Sequence, residues 1–472
     1  MGNHDLQQSA RGSSGNRCYG LVDGPEAAGF FERFTAILAV NSGERPLEIL
    51  FPRLPENEIE GSRSTGDALT ALKIRTFDAV RNFEQRRVDA VLLPGFASQA
   101  FIEEIEAETL VPIISLMDAL RIDLSRRYPE GGRIGILCAN RLRESRCFGR
   151  YFPPERWTLL YPAREIDAAD ENTLAEVCQD FVQQGAQAIV ADALTAAVAK
   201  SLCARGFPLV DALQVYAEYA ATVPPPGKTK PFKIGIAGGV GPAATVDFLD
   251  KIVRNTPAQC DQEHIKVVVE QNPQIPDRTA HLVSDGTDPT IALYATCRRL
   301  VDAGADIITI PCNTAHAFVA RIQPFLPIPI VNMLAETAGF IRRNHGGCSK
   351  VGLLATNGTI ASRVYHNVIV PAGFELIVPD AENQQRVMNA IYGPRGAKAG
   401  FTEGECVEDL LLALASLAQR GAEVILLGCT ELPLLLDQNE AFPVAGKTVA
   451  VLDPTDILAR KCVSLGRQAA GK

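Results

Sequence analysis

The sequence predicts an α/β protein built from two tandem units of one kind, each made of two pseudo-symmetric parallel-sheet lobes with a crevice between them. Three observations predict it. Apolar β-rich runs alternate with amphipathic helical stretches along the chain, landmarks of the first half recur in the second at one fixed spacing, and the two strand-to-helix junctions within a unit echo each other.

The β-rich runs are VDAVLLP (88–94), GRIGILCA (132–139), QAIVADA (187–193), KIGIAGG (233–239), ADIITIP (305–311), KVGLLAT (350–356) and AEVILLG (422–428). Each is almost continuously apolar, as strands of a parallel sheet covered on both faces must be. The stretch TVPPPGKTKP (222–231) interrupts this alternation and reads as a linker. The expected layout is a disordered polar leader (1–17), a first unit (18–221), the linker, a second unit (232–465) and a short tail (466–472).

The repeat is carried by four pairs of landmarks. Gly24-Pro25 matches Gly241-Pro242, PGFASQAF (94–101) matches PCNTAHAF (311–318), IGIL (134–137) matches VGLL (351–354), and LLYP (159–162) matches LIVP (376–379), all 217 positions apart. Further on, QGAQAIVADALT (184–195) matches RGAEVILLGCTE (420–431) at 236, so the first copy lacks 19 residues around the counterpart of 381–400. Within the second unit, DIITIPCNTAHAFV and EVILLGCTELPLLL repeat a strand followed by a polar cluster opening a helix. Open parallel sheets bind ligands at the carboxyl ends of their strands, so both clusters are placed for one shared site.

At 472 residues the chain exceeds what a single core needs, and 47% apolar with 21% charged residues is ordinary for a globular protein. The net charge of −9 speaks against nucleic acid or an anionic membrane as partner and favours a small-molecule substrate. No run of about 18 apolar residues is present to span a bilayer, and the leader lacks the apolar core of a signal peptide. Twelve cysteines without a CxxC pair suit neither a disulfide framework nor a zinc site. Reduced thiols in the cytoplasm, with no metal and no cofactor, are the expectation.

Cys312 and Cys429 stand out because each follows a predicted strand, precedes a predicted helix and has short polar neighbours, Asn313 and Thr314 in one case, Thr430 and Glu431 in the other. Helix N-termini lower thiol pKa values, which predicts two reactive sulfurs. Exchange of a Cα proton between enantiomers needs one base on each face of a planar carbanion, and two pseudo-symmetric thiols meet that need. GGVGPAA (238–244) contains a G-x-G-x-x-A match after a strand. A lone match of that kind is weak, and a nicotinamide cofactor is rejected; Pro242 suits a first helical turn, and Gly241 permits close approach of a small carboxylate.

The segments GIAGGVGPAATVDF (235–248), DQEHIKVVVEQNPQIPDRT (261–279), IPCNTAHAF (310–318), VGLLATNGT (351–359), VPDAENQQRVMNAIY (378–392) and LGCTELPLLL (427–436) together resemble the aspartate/glutamate racemases, and within them the aspartate racemase branch. The resemblance implies racemase-type units, cofactor-free proton exchange by Cys312 and Cys429, and an acidic amino acid held by its carboxylates. It further implies that Arg278 and Lys398 are the carboxylate-binding cations. An Arg fork and a Lys point charge would serve a dicarboxylate. Asn313, Thr314, Asn357, Thr359 and Thr430 lie in the matched turns and are expected to donate hydrogen bonds to the α-carboxylate as charge spreads into it. His316 and Glu431 are expected to orient or tune the thiols.

The first copy carries Gly95 and Ala193 where the second has Cys312 and Cys429, and Phe96, Ala97 and Leu194 where it has Asn313, Thr314 and Thr430. It lacks the counterpart of Lys398, Cys138 falls opposite Ala355, and Arg63 aligns only loosely with Arg278. The expectation is a degenerate unit that packs as an intramolecular pseudo-dimer partner. Racemisation of another amino acid and maleate-type isomerisation are the neighbouring reactions, and a catalytically dead binding protein is the non-enzyme alternative.

Overall fold

A computed structural model describes residues 17–22, 27–41, 47–52, 65–138, 143, 146–163, 171–191, 196–225 and 230–471. The leader through residue 16 and the sequence landmarks Gly24, Pro25, Arg63, Ala193 and Leu194 lie outside the described residues. The chain divides into two units, Met1–Lys230 and Pro231–Lys472.

The N-terminal unit holds two parallel sheets. The first contains β1 (Arg17–Leu21), β2 (Leu47–Leu50), β3 (Ala90–Leu92) and β4 (Ile113–Ile114) in the order β2-β1-β3-β4. The second contains β5 (Gly132–Leu137), β6 (Trp157–Leu160), β7 (Ala188–Ala191) and β8 (Leu209–Val210) in the order β6-β5-β7-β8. The C-terminal unit repeats this arrangement. Its first sheet runs β10 (Lys266–Gln271), β9 (Lys233–Gly238), β11 (Ile307–Thr309), with a parallel bridge from Ile308 to Ile330 where a fourth strand would lie. Its second runs β13 (Glu375–Ile377), β12 (Lys350–Leu354), β14 (Val424–Leu427), β16 (Lys447–Leu452), β15 (Asn439–Val444). All seven apolar runs singled out in the sequence are strands.

Two departures from the sequence reading have local causes. β15 pairs antiparallel with β16, so that sheet is not purely parallel. The pair is closed by Ala445 and Gly446, both at positive φ, which gives the tight turn without the Asn-Gly signature that usually marks it. The last helix, Pro454–Ala469, continues through residues expected to form a tail. Gly466 within it is buried against Ile265 and Phe232 and belongs to the core, while the described residues after it are exposed.

In each unit the final helix returns to the first lobe. Helix Ala212–Thr222 packs on helix Ala27–Asn41, and helix Pro454–Ala469 packs on helices Pro242–Asn255 and Met333–Asn344. Leu458, Cys462 and Val463 of the returning helix share a core with Ile234, Ile236 and Phe248. A buried charge cluster fastens the same contact: Lys251 pairs with Asp247 and Asp453 and donates to Thr455 Oγ1 at 2.9 Å.

The units differ in what lies between their lobes. In the N-terminal unit one apolar cluster runs through both sheets, joining Tyr19, Leu21 and Leu92 to Ile134, Ile136 and Val190. Phe96, Phe148, Phe152 and Trp157 belong to it, with Phe96 stacked on Phe148 at 5.9 Å between ring centres. In the C-terminal unit the two lobes have separate apolar clusters, and the space between strand ends is polar.

Candidate active site

The carboxyl ends of β11 and β14 bring Cys312 and Cys429 to one small cavity, each on the wall that its own lobe contributes. It is lined from the first lobe by Val240, Arg278, Thr279, Cys312, Asn313 and Thr314, and from the second by Thr356, Tyr392, Lys398, Cys429, Thr430 and Glu431. Both thiols are 6% exposed. The sequence reading therefore names eight of these lining residues, including both cysteines and both cations.

The two sulfurs have opposite company. Cys312 lies alongside the Arg278 guanidinium, which stays charged against burial because Cys312 and Asp277 are close. Arg278 is itself buried; Nη1 donates to the carbonyls of Ile275 and Pro276 and Nη2 to that of Val240. Three of its five N–H groups are thereby engaged, and Nε has no partner. Cys429 donates to Glu431 Oε2 at 3.0 Å, while Glu431 Oε1 receives Lys398 Nζ at 2.7 Å. Burial, and then the Glu431 charge, push the Cys429 thiol well above its ordinary range against the pull of Lys398. Burial works against the Lys398 ammonium as well, but Glu431 and Cys429 outweigh it and hold Lys398 protonated.

The expected helix dipole is missing at Cys429. Leu432–Leu434 forms only a three-residue 3-10 turn, since Pro433 and the following loop do not extend it, and too few peptide dipoles align to lower the thiol pKa. Cys312 is followed by a turn and then by helix His316–Ile322.

Four threonine hydroxyls knit the lobes together at the cavity wall. Thr314 Oγ1 bonds Thr359 Oγ1 at 2.7 Å and Thr356 Oγ1 at 3.2 Å, and Thr279 donates to Thr356 at 3.2 Å. Thr356 also caps helix Asn357–Ala361 through the Thr359 amide. Asn313 presents its amide to the cavity; its Oδ1 accepts from the Tyr365 hydroxyl at 2.6 Å, and its Nδ2 is buried without a partner.

Four sequence assignments change. Asn357 is exposed and accepts from Gln384 Nε2, because the helix cap turns it away from the cavity. Thr359 does not line the cavity and reaches it only through Thr314 and Thr356, at 2.7 and 3.1 Å. His316 does not touch the sulfur: Nε2 accepts from the Met333 amide, so Nδ1 carries the proton and donates to the Cys312 carbonyl at 2.9 Å. Gly241 does admit a carboxylate, but it is that of Glu431, whose Oε1 would lie 2.4 Å from a Cβ at this position.

Thr279, Thr356, Val240 and Tyr392 line the cavity without having been assigned a role. Thr279 and Thr356 flank assigned residues in PDRT and ATNGT, so motif adjacency was the available signal. Tyr392 donates to Asp277 Oδ2 at 3.2 Å across the crevice and lies under Lys398 Nζ, 5.3 Å from its ring centre. Among the described residues, no group of three or more His, Cys, Asp or Glu is placed to hold a metal ion, and no helix is long and apolar enough to cross a membrane.

The arrangement offers two thiols, one on the wall of each lobe, cationic and neutral N–H donors for a carboxylate, and little room for bulk water. The sequence model of the Asp/Glu/hydantoin racemase family matches residues 237–462. The broad specificity amino-acid racemase RacX of Bacillus subtilis (strain 168) is 27% identical over 239 residues, 49% of this chain and 96% of that protein. An uncharacterized protein of Pectobacterium carotovorum subsp. carotovorum is 36% identical over 121 residues, 25% of this chain and 74% of that protein. Among solved structures, the aspartate racemase of Picrophilus torridus matches with a TM-score of 0.43 and 26% identity, covering 51% of this chain and 98% of that one. Through its C-terminal unit, the chain belongs to the Asp/Glu/hydantoin racemase family.

Proposed function

We propose that the C-terminal unit is a cofactor-independent racemase of aspartate or glutamate in which Cys312 and Cys429 serve as the paired base and acid. The observation that carries this reading is the meeting of the two thiols, one from each lobe, in one small cavity with Arg278 and Lys398. One thiolate removes the Cα proton while the opposite thiol donates to the other face. The charge that develops in the α-carboxylate is met by Arg278, Asn313 and the Thr314 and Thr430 region. Thr279 and Thr356 hold that wall in place. Such chemistry needs both thiols reduced, which fits a cytoplasmic protein.

The test is incubation with L-aspartate and L-glutamate in D2O, following Cα deuteration by NMR and enantiomer ratio by chiral chromatography. Deuterium uptake with loss of optical purity is expected, and Cys312→Ala or Cys429→Ala abolishes racemisation. Normal racemisation by either alanine variant refutes the two-thiol mechanism.

One observation favours a second substrate range. Lys398 is already neutralised by Glu431, so the cavity holds one cation without a carboxylate partner in hydrogen-bond contact rather than two. That charge balance suits a neutral amino acid bound by its α-carboxylate, in line with the broad specificity named for the Bacillus subtilis relative. Faster exchange with neutral amino acids than with aspartate or glutamate selects this reading.

The N-terminal unit is proposed to be a non-catalytic copy produced by tandem duplication. The shared strand order supports the duplication, and the aromatic filling around Phe96 supports the loss of chemistry. Whether catalysis depends on it is tested by comparing residues 231–472 alone with the full chain; equal rate and equal thermal midpoint would refute a dependence.

A further inference from the structure

The amide of Asn313 poses a question of orientation that the two-thiol reading leaves open. An Asn side chain presents an acceptor on one edge and a donor on the other, and only the donor edge suits a carboxylate. Asn313 follows β11 in the first lobe and is 2% exposed. The group that meets its acceptor edge comes from the second lobe: the Tyr365 hydroxyl donates to Asn313 Oδ1 at 2.6 Å. Tyr365 is 1% exposed and its ring packs among Val351, Leu353 and Ile369. Burial holds the phenol proton far above the ordinary tyrosine range, so Tyr365 is a permanent donor at working pH.

With Oδ1 held in this way, Nδ2 takes the other edge of the amide in a residue that lines the cavity. There it is buried without any hydrogen-bond partner, and so is Arg278 Nε in the same cavity. Buried N–H groups are almost always satisfied, and a site that keeps two open is one whose ligand brings the acceptors. Two open donors suit a carboxylate, which brings acceptors only.

Resting on the racemase reading above, we propose that Tyr365 is a positioning residue: its hydroxyl locks the Asn313 amide so that Nδ2–H points at the substrate α-carboxylate. Without that hydroxyl the amide turns freely between two orientations, one of which aims Oδ1 at the carboxylate. The loss falls mainly on the chemical step, because negative charge on the carboxylate grows as the Cα proton leaves and the donor is needed most at that moment.

The experiment uses the full chain with Tyr365→Phe, which keeps the ring and removes only the hydroxyl. Alone it should lower kcat about 10- to 100-fold and change KM by less than about 3-fold, since removing one such donor outright costs 10²–10³-fold. In an Asn313→Ala background the same change should reduce kcat by no more than about 2-fold, as expected when one residue acts through the other. Wild-type kcat in Tyr365→Phe, or equal losses in both backgrounds, overturns the proposal. Calorimetric titration with malonate reads carboxylate binding apart from turnover. If the wild-type protein exchanges no Cα proton, yet Tyr365→Phe weakens malonate only when Asn313 is present, the racemase reading falls and the positioning role stands. If racemisation is intact and neither readout depends on Asn313, the positioning role falls alone.

Discussion

Gly241→Ala tests the site through a residue that bears no functional group. Gly241 caps helix Pro242–Asn255 with φ at 118°, a conformation that side chains rarely adopt. Holding an L-residue there costs about 1–3 kcal/mol. The added Cβ would also lie 2.4 Å from Glu431 Oε1, so the oxygen has to retreat by about 1 Å to reach ordinary contact. Glu431 is 3% exposed and is tied to Lys398 at 2.7 Å and Cys429 at 3.0 Å, and a retreat of that size breaks at least one of these bonds. For a unit of this size each kcal/mol moves the thermal midpoint by roughly 2–4 °C, so backbone strain alone predicts a fall of about 2–12 °C. Misplacement of a catalytic group by about 1 Å is worth roughly 10²-fold in rate. Calorimetry and the Cα deuteration assay measure the two effects. Shortening the carboxylate in the same background, with Glu431→Asp, should recover part of the midpoint by removing the clash while leaving the strain. A Gly241→Ala protein with unchanged midpoint and rate would refute this account of the Gly241–Glu431 contact.

Three further outcomes follow from the same structure. Lys398→Gln leaves Glu431 as a buried carboxylate without its cation and should destabilise the C-terminal unit by about 3 kcal/mol, whereas adding Glu431→Gln should restore at least half of that; chemical denaturation of the single and double variants decides it. Burial raises the thiols of Cys147 and Cys178 to about 11 and those of Cys297 and Cys462 to about 12, from an ordinary 9.0. Above pH 9 the unfolded chain releases these protons while the folded chain holds them, so thermal midpoints should decline steadily as pH rises from 9 towards 12; a flat profile contradicts the burial. Burial lowers His316 from 6.5 to about 4, outweighing the backbone of Cys312 and of Val331, which favours the charged ring. The unfolded state therefore binds more protons between these values, and stability should fall as pH drops from 6.5 through 4, with a shallower fall in His316→Gln.

The sequence displayed most of the frame because buried parallel strands leave an unmistakable apolar signature, and all seven runs became strands. It also named Cys312, Asn313, Thr314, Cys429, Thr430 and Glu431, since short polar clusters at strand ends concentrate chemistry at the sheet edge, whereas Arg278 and Lys398 came only from the family resemblance; all eight line one cavity. What stayed hidden depends on partners remote in sequence. Nothing around Tyr365 marks it, because its role is defined by Asn313, which lies on the other lobe. Gly241 was expected to admit a substrate carboxylate, and the carboxylate beside it is that of Glu431 after β14. Asn357 and Thr356 are neighbours with equal claims in the sequence; the cap geometry alone decides that Thr356 faces inward. The hairpin β15–β16 escaped because Ala445 stands in a turn position where asparagine or aspartate would have announced it.

The return of helix Pro454–Ala469 to the first lobe sets an order of assembly during synthesis. Ile234, Ile236 and Phe248 leave the ribosome early, but the surface that covers them, Leu458, Cys462 and Val463, is made more than 200 residues later. The second lobe has its sheet and core before that helix emerges, so it is the part able to consolidate first, while the older lobe waits with an uncovered apolar face. Cys312 belongs to the waiting lobe and Cys429 to the early one. A nascent chain stopped short of Pro454 would therefore carry both thiols and the threonine contacts between the lobes, but would leave Ile234, Ile236 and Phe248 without the surface that covers them.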